Sequence, residues 1–269
     1  MKLLLSIRFD GSSYVGYQAQ NNGPTVQREL NRAAEELFGH PCDVTGCSRT
    51  DSGVHANQFW ITVTRKGTDE LATEIPVERI PRAFSAHLPD AISALSAQWV
   101  SADFHARYSV LSKEYVYRIH NAPWRDPFEN GRSWHVPYGF DDHAVARMQE
   151  AADQFVGTHD FTSCMANGSK IVSAVRTVTS ATVERDGHLI LFRVSADGFL
   201  YHMVRIMMGT IIEVGRGYMT PADVKNALMA KDRSRMGPTA PPQGLYLNRV
   251  DYDMTGTVKV ILPPRTPET

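Results

Sequence analysis

The sequence has no long apolar segment. No run among its 269 residues approaches the about 18–20 apolar residues that a helix needs to cross a bilayer. Residues 1–14 carry a short apolar patch, but Arg8 and Asp10 interrupt it before any small-residue cleavage site. The alternating apolar residues favour a first strand over a signal peptide: Leu3, Leu5, Ile7 and Phe9. We therefore expect no membrane partner.

Cysteine is also scarce. The three thiols, Cys42, Cys47 and Cys164, are an odd number and include no C-x-x-C pair. Neither a disulfide framework nor a zinc site is indicated, and a reducing cytoplasm is the expected location.

An excess of positive charge is absent as well. The net charge of −1 argues against indiscriminate nucleic-acid binding, so any site for a polyanion must be a local patch. Residues 104–125 are the candidate, because they interleave four bases and one acid with aromatic residues: Phe104, Tyr108, Tyr115, Tyr117 and Trp124. Such a mixture suits a groove for phosphates and unstacked bases. A half-buried strand flanked by surface charges would have a similar pattern.

Strand and helix patterns alternate along the chain, which predicts an α+β fold with two related lobes joined near residues 100–110. One helix is predicted from Thr25 to about Phe38, with Gly39 as its stop. A second is predicted after Asp141, ending at Gly157. The segment 175–196 predicts a hairpin with its turn at Asp186–Gly187.

Residues 197–217 give the strongest helix pattern, with apolar side chains at helical spacing. On this helix His202 and Arg205 would share a face, since they are three residues apart. An arginine among so many apolar neighbours either extends to water or meets a buried carboxylate. Asp51 is the natural candidate for that carboxylate.

The motif "SRTDSGVHA" at 48–56 places an arginine and an aspartate two residues apart. An extended backbone would point Arg49 and Asp51 to the same side. Gly46 and Gly53 bracket them and supply backbone freedom. Taken alone, the motif fits either a solvated loop with a weak ion pair or a functional site.

This motif resembles the R-T-D-x-G-V-H-A signature of the tRNA pseudouridine synthase A family. The agreement continues in order along nearly the whole chain, in "FDGSSYVGYQAQ…TVQ", "FHARYSVLSKEYVYRI", "HDFTSC", "VRTV", "DGFLYHMVR" and "GPTAPPQGLYLNRV". Two places depart from the pattern: Ile206 stands where the family usually has asparagine after the helix arginine, and residues around 236–243 match less closely.

The resemblance implies isomerisation of uridine to pseudouridine in the anticodon stem-loop of tRNA, at tRNA positions 38, 39 and 40, without cofactor or metal. It implies an α+β fold in which two ferredoxin-like lobes form a continuous, mainly antiparallel sheet flanked by helices, with the active-site cleft between the lobes. We divide the chain into an N-terminal lobe, 1–105, and a C-terminal lobe, 106–269. The family's homodimer is expected too, because two chains would present two basic patches to one RNA.

The resemblance also assigns roles to residues. Asp51 matches the catalytic aspartate and is predicted to be the nucleophile after the target base flips out of the stack. Arg205 is predicted to pair with it, and Tyr115 to stack on the uracil and remove the C5 proton. The remaining predicted RNA contacts are Arg49, Leu245, Phe104, His105, Ala106, Arg107, Tyr108, Arg176 and His202.

Three alternatives stay open. One is a tRNA-binding or chaperone protein of the same fold without catalysis, and another is a synthase of the family with different target uridines. The third is a hydrolase using Asp51 with His55 or His105, although no H-E-x-x-H or paired-carboxylate spacing supports it.

Overall fold

In this computed structural model, which describes residues 1–166, 168 and 171–253, ten strands and five α-helices alternate along the chain. The strands are β1 Lys2–Phe9, β2 Cys42–Gly46, β3 His55–Arg65, β4 Ile92–Val100, β5 Val110–His120, β6 Trp134–His135, β7 Gly157–Asp160, β8 Val175–Asp186, β9 Leu189–Ala196 and β10 Leu245–Tyr252. The α-helices are α1 Val26–Phe38, α2 Ile80–Ser85, α3 Asp142–Asp153, α4 Met203–Gly215 and α5 Pro221–Ala230. The predicted α+β class is confirmed.

The chain divides into two compact units. Among the described residues, the first comprises Met1–Leu111 and 249–253, and the second lies within Ser112–Asn248. Our predicted lobe boundary between residues 105 and 106 stays a prediction, because a domain is a segment that can fold alone and a division by contacts does not test that.

The first unit has the chain order β1-α1-β2-β3-α2-β4 of a ferredoxin-like fold. Strand β1 lies between β3 and β4, with Leu5 opposite both Ile61 and Ala97, and β2 pairs with the other edge of β3. All these pairings are antiparallel. The first strand is the one predicted, and its even-numbered Leu4 is as fully buried as Leu3 and Leu5, so both of its faces are covered.

The second unit repeats part of this order. Its strands lie in the sequence β5-β9-β8-β7, paired antiparallel, while the short β6 lies parallel to β5. Strand β5 with α3, β8 and β9 thus follows the same order as β1 with α1, β2 and β3. The prediction of a mainly antiparallel sheet is confirmed within each unit.

Helices α1 and α3 begin where their sequences predict. Helix α1 follows Thr25, although the Thr25 side chain makes no capping hydrogen bond, and it ends at Gly39, whose left-handed φ of 73° favours glycine. Asp141 caps α3 by accepting a hydrogen bond from the N–H of Ala144 at 2.7 Å. Gly157 does not end this helix, which stops at Asp153, because Gly157 already begins β7.

Two other sequence predictions need correction. The hairpin of β8 and β9 forms, but Asp186 pairs with Leu189, so the two loop residues are Gly187 and His188. A φ of 55° at Gly187 suits a glycine at the first central position of such a turn. The predicted helix 197–217 begins only at Met203, since residues 197–202 are irregular.

Within the part of the chain that the structure describes, no helix combines the length and the apolar character needed to cross a membrane. Cys42, Cys47 and Cys164 are all buried.

Candidate active site

Asp51 lies on the loop between β2 and β3, and an earlier loop of the same unit holds it. The N–H of Tyr17 donates to the carbonyl of Thr50 at 3.1 Å, and the N–H of Gly53 donates to the carbonyl of Tyr14 at 3.2 Å. The N–H of Val54 donates to the carbonyl of Asp51 itself at 3.2 Å, which closes a turn. The backbone around Asp51 is therefore fixed on both sides.

Glycines allow the two loops to approach so closely. A Cβ at Gly11 would lie 2.0 Å from the carbonyl oxygen of Val54, so no side chain fits there. Gly16 has a φ of 112° and would place a Cβ 2.8 Å from the carbonyl oxygen of Thr50. Two glycines bracket Arg49 and Asp51. Gly53 takes a left-handed φ of 75°, whereas Gly46 leaves room for the ring of Tyr17.

His55 anchors the far end of the motif. Its side chain is only 2% exposed, and Nδ1 accepts a hydrogen bond from the N–H of Gly11 at 3.1 Å. Nδ1 also lies 3.2 Å from a carboxylate oxygen of Asp10. Since Nδ1 accepts a backbone hydrogen bond, this histidine supports the loop.

The side chains of the motif differ in exposure. Asp51 is half-buried, Arg49 is exposed, and Thr50 between them is buried. The side chain of Arg49 is thus accessible to a polyanion. A half-buried carboxylate on a fixed loop can act as a nucleophile once a substrate excludes water.

The segment 104–108, also in the first unit, is built around His105. Its Nδ1 accepts hydrogen bonds from the N–H groups of Arg107 and Tyr108 at 3.1 and 3.3 Å. Burial, with the nearby charges of Lys2 and Arg107, lowers the pKa of His105, so the imidazole is neutral near pH 7. A neutral ring that accepts at Nδ1 orders the segment.

The five predicted contact residues of this segment therefore face different surroundings. Phe104 and Ala106 are buried, and Phe104 packs on the ring of Tyr252 with centroids 5.1 Å apart. Arg107 is exposed, and Tyr108 is 77% exposed with its ring 4.3 Å from that of His105. Arg107 and Tyr108 can contact an RNA directly, whereas Phe104 and Ala106 support them.

In the second unit, Tyr115 lies on β5 and is 7% exposed. Its ring makes an edge contact with Phe199, with centroids 4.9 Å apart. Phe199 belongs to the irregular segment before α4, where the sequence pattern predicted helix. This contact fixes the orientation of the Tyr115 ring.

Arg205 lies in the first turn of α4 and is half-buried. Its Nε donates to the carbonyl of Ala240 at 2.8 Å, and its own carbonyl accepts from the N–H of Ala240 at 3.0 Å. Arg205 also opposes the effect of burial on Tyr117, whose pKa burial raises strongly. A charged guanidinium group is thus held at a defined place beside the aromatic strand.

Leu245 begins β10 and is buried. The preceding Gly244 is in close contact with β5, because a Cβ there would lie 2.6 Å from the ring of Tyr117. Glycine at 244 therefore sets the place of Leu245 in the second unit.

Two weaker candidates take local roles. Arg176 on β8 donates through Nη1 to the carbonyls of Ser173 and Val175 at 3.0 and 2.6 Å. His202 is not on the helix face shared with Arg205, because it precedes α4 in a left-handed conformation with φ 61°. Its ring stacks on Tyr201, with centroids 3.9 Å apart.

The residues that support the site were not predicted from the sequence. Tyr14 and Tyr17 hold the Asp51 loop by hydrogen bonds, Gly16 lets it approach, and Ala240 holds Arg205. The glycine spacing in "DGSSYVGY" was a usable signal for the first group. Nothing in the residue type of Ala240 signals a contact that is made entirely through its backbone.

The described residues contain no group of three or more His, Cys, Asp or Glu side chains placed to hold a metal ion.

Comparisons with known proteins give a consistent result. The profile of the family described as tRNA pseudouridine synthase matches residues 5–109 and 151–253. Proteins called tRNA pseudouridine synthase A are similar over nearly their whole length. The relative from Moorella thermoacetica is 43% identical over 252 residues (93% of this chain, 99% of the relative), and that from Allorhizobium ampelinum 43% over 255 residues (94% and 95%). The relative from Thermoanaerobacter sp. strain X514 is 39% identical over 250 residues (93% and 99%).

A solved structure titled "Crystal Structure of a Cbf5-Nop10-Gar1 Complex" covers 79% of this chain and 44% of its own at 16% identity. Its TM-score of 0.34 is too low to support a conclusion.

These matches indicate the class of the protein: it is a pseudouridine synthase, which is an isomerase. The chain belongs to the tRNA pseudouridine synthase family.

Proposed function

We propose that the protein isomerises uridine to pseudouridine in the anticodon stem-loop of tRNA, at tRNA positions 38, 39 and 40, with Asp51 as the nucleophile. The observation that carries the proposal is the Asp51 loop, where a half-buried carboxylate sits between backbone groups that are fixed at Thr50 and Gly53. Its relatives bear the name of a tRNA-modifying enzyme.

The reaction needs an extruded base, because a paired uridine is inaccessible inside a stem. The Asp51 carboxylate attacks either C1′ of the ribose or C6 of the uracil. The bond between N1 and C1′ breaks, the base rejoins the ribose through C5, and the C5 proton leaves while N1 gains one. Asp51 departs unchanged, so the reaction consumes no cofactor.

Tyr115 and Arg205 serve the same step in this proposal. Tyr115 stacks on the uracil and removes the C5 proton, and the fixed orientation of its ring against Phe199 supports that role. Arg205 favours the ionised form of Asp51, as an arginine within about 4–6 Å of an aspartate does. The pairing of these two residues stays a prediction.

In this proposal the exposed side chains bind the RNA. Arg49, Arg107 and Tyr108 are accessible, and they offer two charges for phosphates and one ring for an unstacked base. Leu245 would pack against the flipped ring, and Arg176 and His202 would lie toward the same RNA. A homodimer would double this set of contacts.

Asp51→Asn tests the nucleophile. We expect this variant to bind unmodified tRNA with near-normal affinity and to form no pseudouridine, because the amide is nearly isosteric but not nucleophilic. Binding is measured by filter retention, and pseudouridine by chemical blocking with primer extension. Asp90→Asn, at an exposed position of the same unit, is the matched control and should keep full turnover.

The outcomes separate the candidates. Substantial turnover by Asp51→Asn would exclude Asp51 as the nucleophile. Binding without turnover by the unsubstituted protein would favour the RNA-binding alternative. Pseudouridine mapped outside positions 38, 39 and 40 would point to a synthase with other targets.

A further inference from the structure

Arg233 has no assigned role in the reaction, yet its guanidinium group is committed to one short segment. Nη1 donates to the carbonyls of Gly237 and Met236 at 2.9 and 3.4 Å, and Nη2 donates to Oγ1 of Thr239 at 3.2 Å. The donors of a guanidinium group have a rigid planar arrangement, so these contacts fix the direction of the segment as well as its distance.

The segment 236–240 is also seated against α4. The N–H of Gly237 donates to Oγ1 of Thr210 at 3.0 Å. At Gly209 the approach is so close that a Cβ would lie 1.7 Å from the carbonyl oxygen of Pro238. The position of the segment along the helix is therefore set by a hydrogen bond to the Thr210 side chain and by the close approach of the Pro238 carbonyl to Gly209.

The segment leads directly to the site, because its last residue is Ala240. Ala240 is fully buried, and its carbonyl and its N–H hold the Nε and the carbonyl of Arg205. A shift of the segment moves the acceptor that orients the Arg205 guanidinium group.

We infer that Arg233 is a positioning residue for Arg205. It clamps the segment 236–239 so that the Ala240 carbonyl holds Arg205 in its working orientation. This inference rests on the proposed catalytic role of Arg205, and the experiment below lets the two fail separately.

The first measurement compares Arg233→Met with Arg235→Met. Arg235 belongs to the same short helix, is 63% exposed and contacts Asp232 at 4.0 Å, so its substitution removes an equal charge without touching the segment. We expect Arg233→Met to lower the single-turnover rate about 10- to 100-fold with unchanged tRNA affinity, since misplacement by about 1 Å can cost 10²-fold. Arg235→Met should keep the full rate. Arg233→Lys should fall between, because the ammonium group keeps the charge but loses the planar fork.

A double-mutant cycle with Arg205→Lys measures whether the effects of the two substitutions on the rate are coupled. A merely structural role of Arg233 would give no such coupling. If Arg233 acts through Arg205, Arg233→Met should slow the Arg205→Lys protein much less than the unsubstituted protein. The inference would be overturned if the two substitutions slowed the single-turnover reaction independently, so that their fold-changes multiplied in the double variant. An unchanged rate in Arg233→Met would overturn it too. If Arg233→Met fails to fold, as a denaturation curve would show, Arg233→Lys takes its place in the cycle. Full turnover by Arg205→Lys would instead overturn the role of Arg205 itself.

Discussion

Tyr115 and Tyr117 lie on the same face of β5, and the proposed reaction assigns the base to Tyr115 alone. Tyr117 is fully buried, and its hydroxyl donates to the carbonyl of Pro241 at 2.6 Å. Burial raises the pKa of Tyr117 far above its ordinary value, and the charge of Arg205 only partly opposes this. Tyr117 therefore stays protonated at any physiological pH and is a structural donor. The base in the reaction has to be another group, which is the role proposed for Tyr115.

Removal of each hydroxyl group should consequently have a different effect. Tyr117→Phe removes the hydrogen bond from a fully buried ring to the half-buried Pro241, so we expect the free energy of unfolding to fall by about 1 kcal/mol. Tyr115→Phe keeps the ring that packs on Phe199 but removes the proposed base, so turnover should fall by at least about 10²-fold. Denaturant titration and a pseudouridine assay measure the two effects. Normal turnover in Tyr115→Phe would remove it as the base.

At the scale of elements, α4 carries two glycines with different neighbours. A Cβ at Gly209 would meet the backbone carbonyl of Pro238, whereas a Cβ at Gly215 would meet the side chain of Met148, with its sulfur at 2.9 Å. A thioether can rotate away, but a carbonyl in a seated segment cannot. The neighbours of α4 therefore cannot make room for a side chain at Gly209, in its middle, but they can at Gly215, at its end.

Alanine at these two positions should show the difference. Each substitution gains about 1 kcal/mol of helix propensity. At position 209 we expect the clash to outweigh this gain and to lower the free energy of unfolding by about 1–3 kcal/mol. Gly215→Ala should destabilise the protein less, because the side chains of Met148 and Phe140 can move, whereas the Pro238 backbone is held. Turnover should fall in Gly209→Ala, since the displaced segment carries Ala240; equal stability and turnover in the two variants would contradict this account.

Elements with a strong local signal were predictable from the sequence. Helix α1 has a threonine at the position before it, an apolar stripe and a terminal glycine, and it forms between the expected residues. The start of α4 was not predictable in this way. Phe199 and Leu200 continue the apolar spacing of the helix, but Leu200 is buried in an irregular segment and Phe199 packs on Tyr115. Periodicity reports burial, and it cannot tell a helical turn from a loop that is buried for another reason.

The candidate site was predictable to a similar extent. Asp51 and Arg205 were named as site residues by the family resemblance, and their roles stay predictions. The residues that support them were not recognisable, because Tyr14, Tyr17 and Ala240 act through backbone groups that nearly every residue possesses. Only the glycines that must admit a neighbouring backbone leave a trace in the sequence, as at Gly11 and Gly16.

At the scale of the whole molecule, the charge balance limits how RNA can be bound. The chain has 28 lysines and arginines against 29 acidic residues, so its net charge offers no general attraction for tRNA. Affinity must then come from a few placed cations. Arg49 and Arg107 are exposed in the unit that carries Asp51, and Arg107 belongs to a segment that is ordered by His105.

The salt dependence of tRNA binding tests this directly. Each phosphate contact contributes about 0.7–0.9 to the slope of log K against log salt concentration. We expect Arg49→Ala and Arg107→Ala each to reduce that slope by about one contact and to weaken binding more at low salt than at high salt. Arg82→Ala, at an exposed position of α2 in the same unit, should leave the slope unchanged. Equal slopes in all three variants would mean that the RNA is held by other cations, and the basic part of the proposed interface would have to be assigned elsewhere.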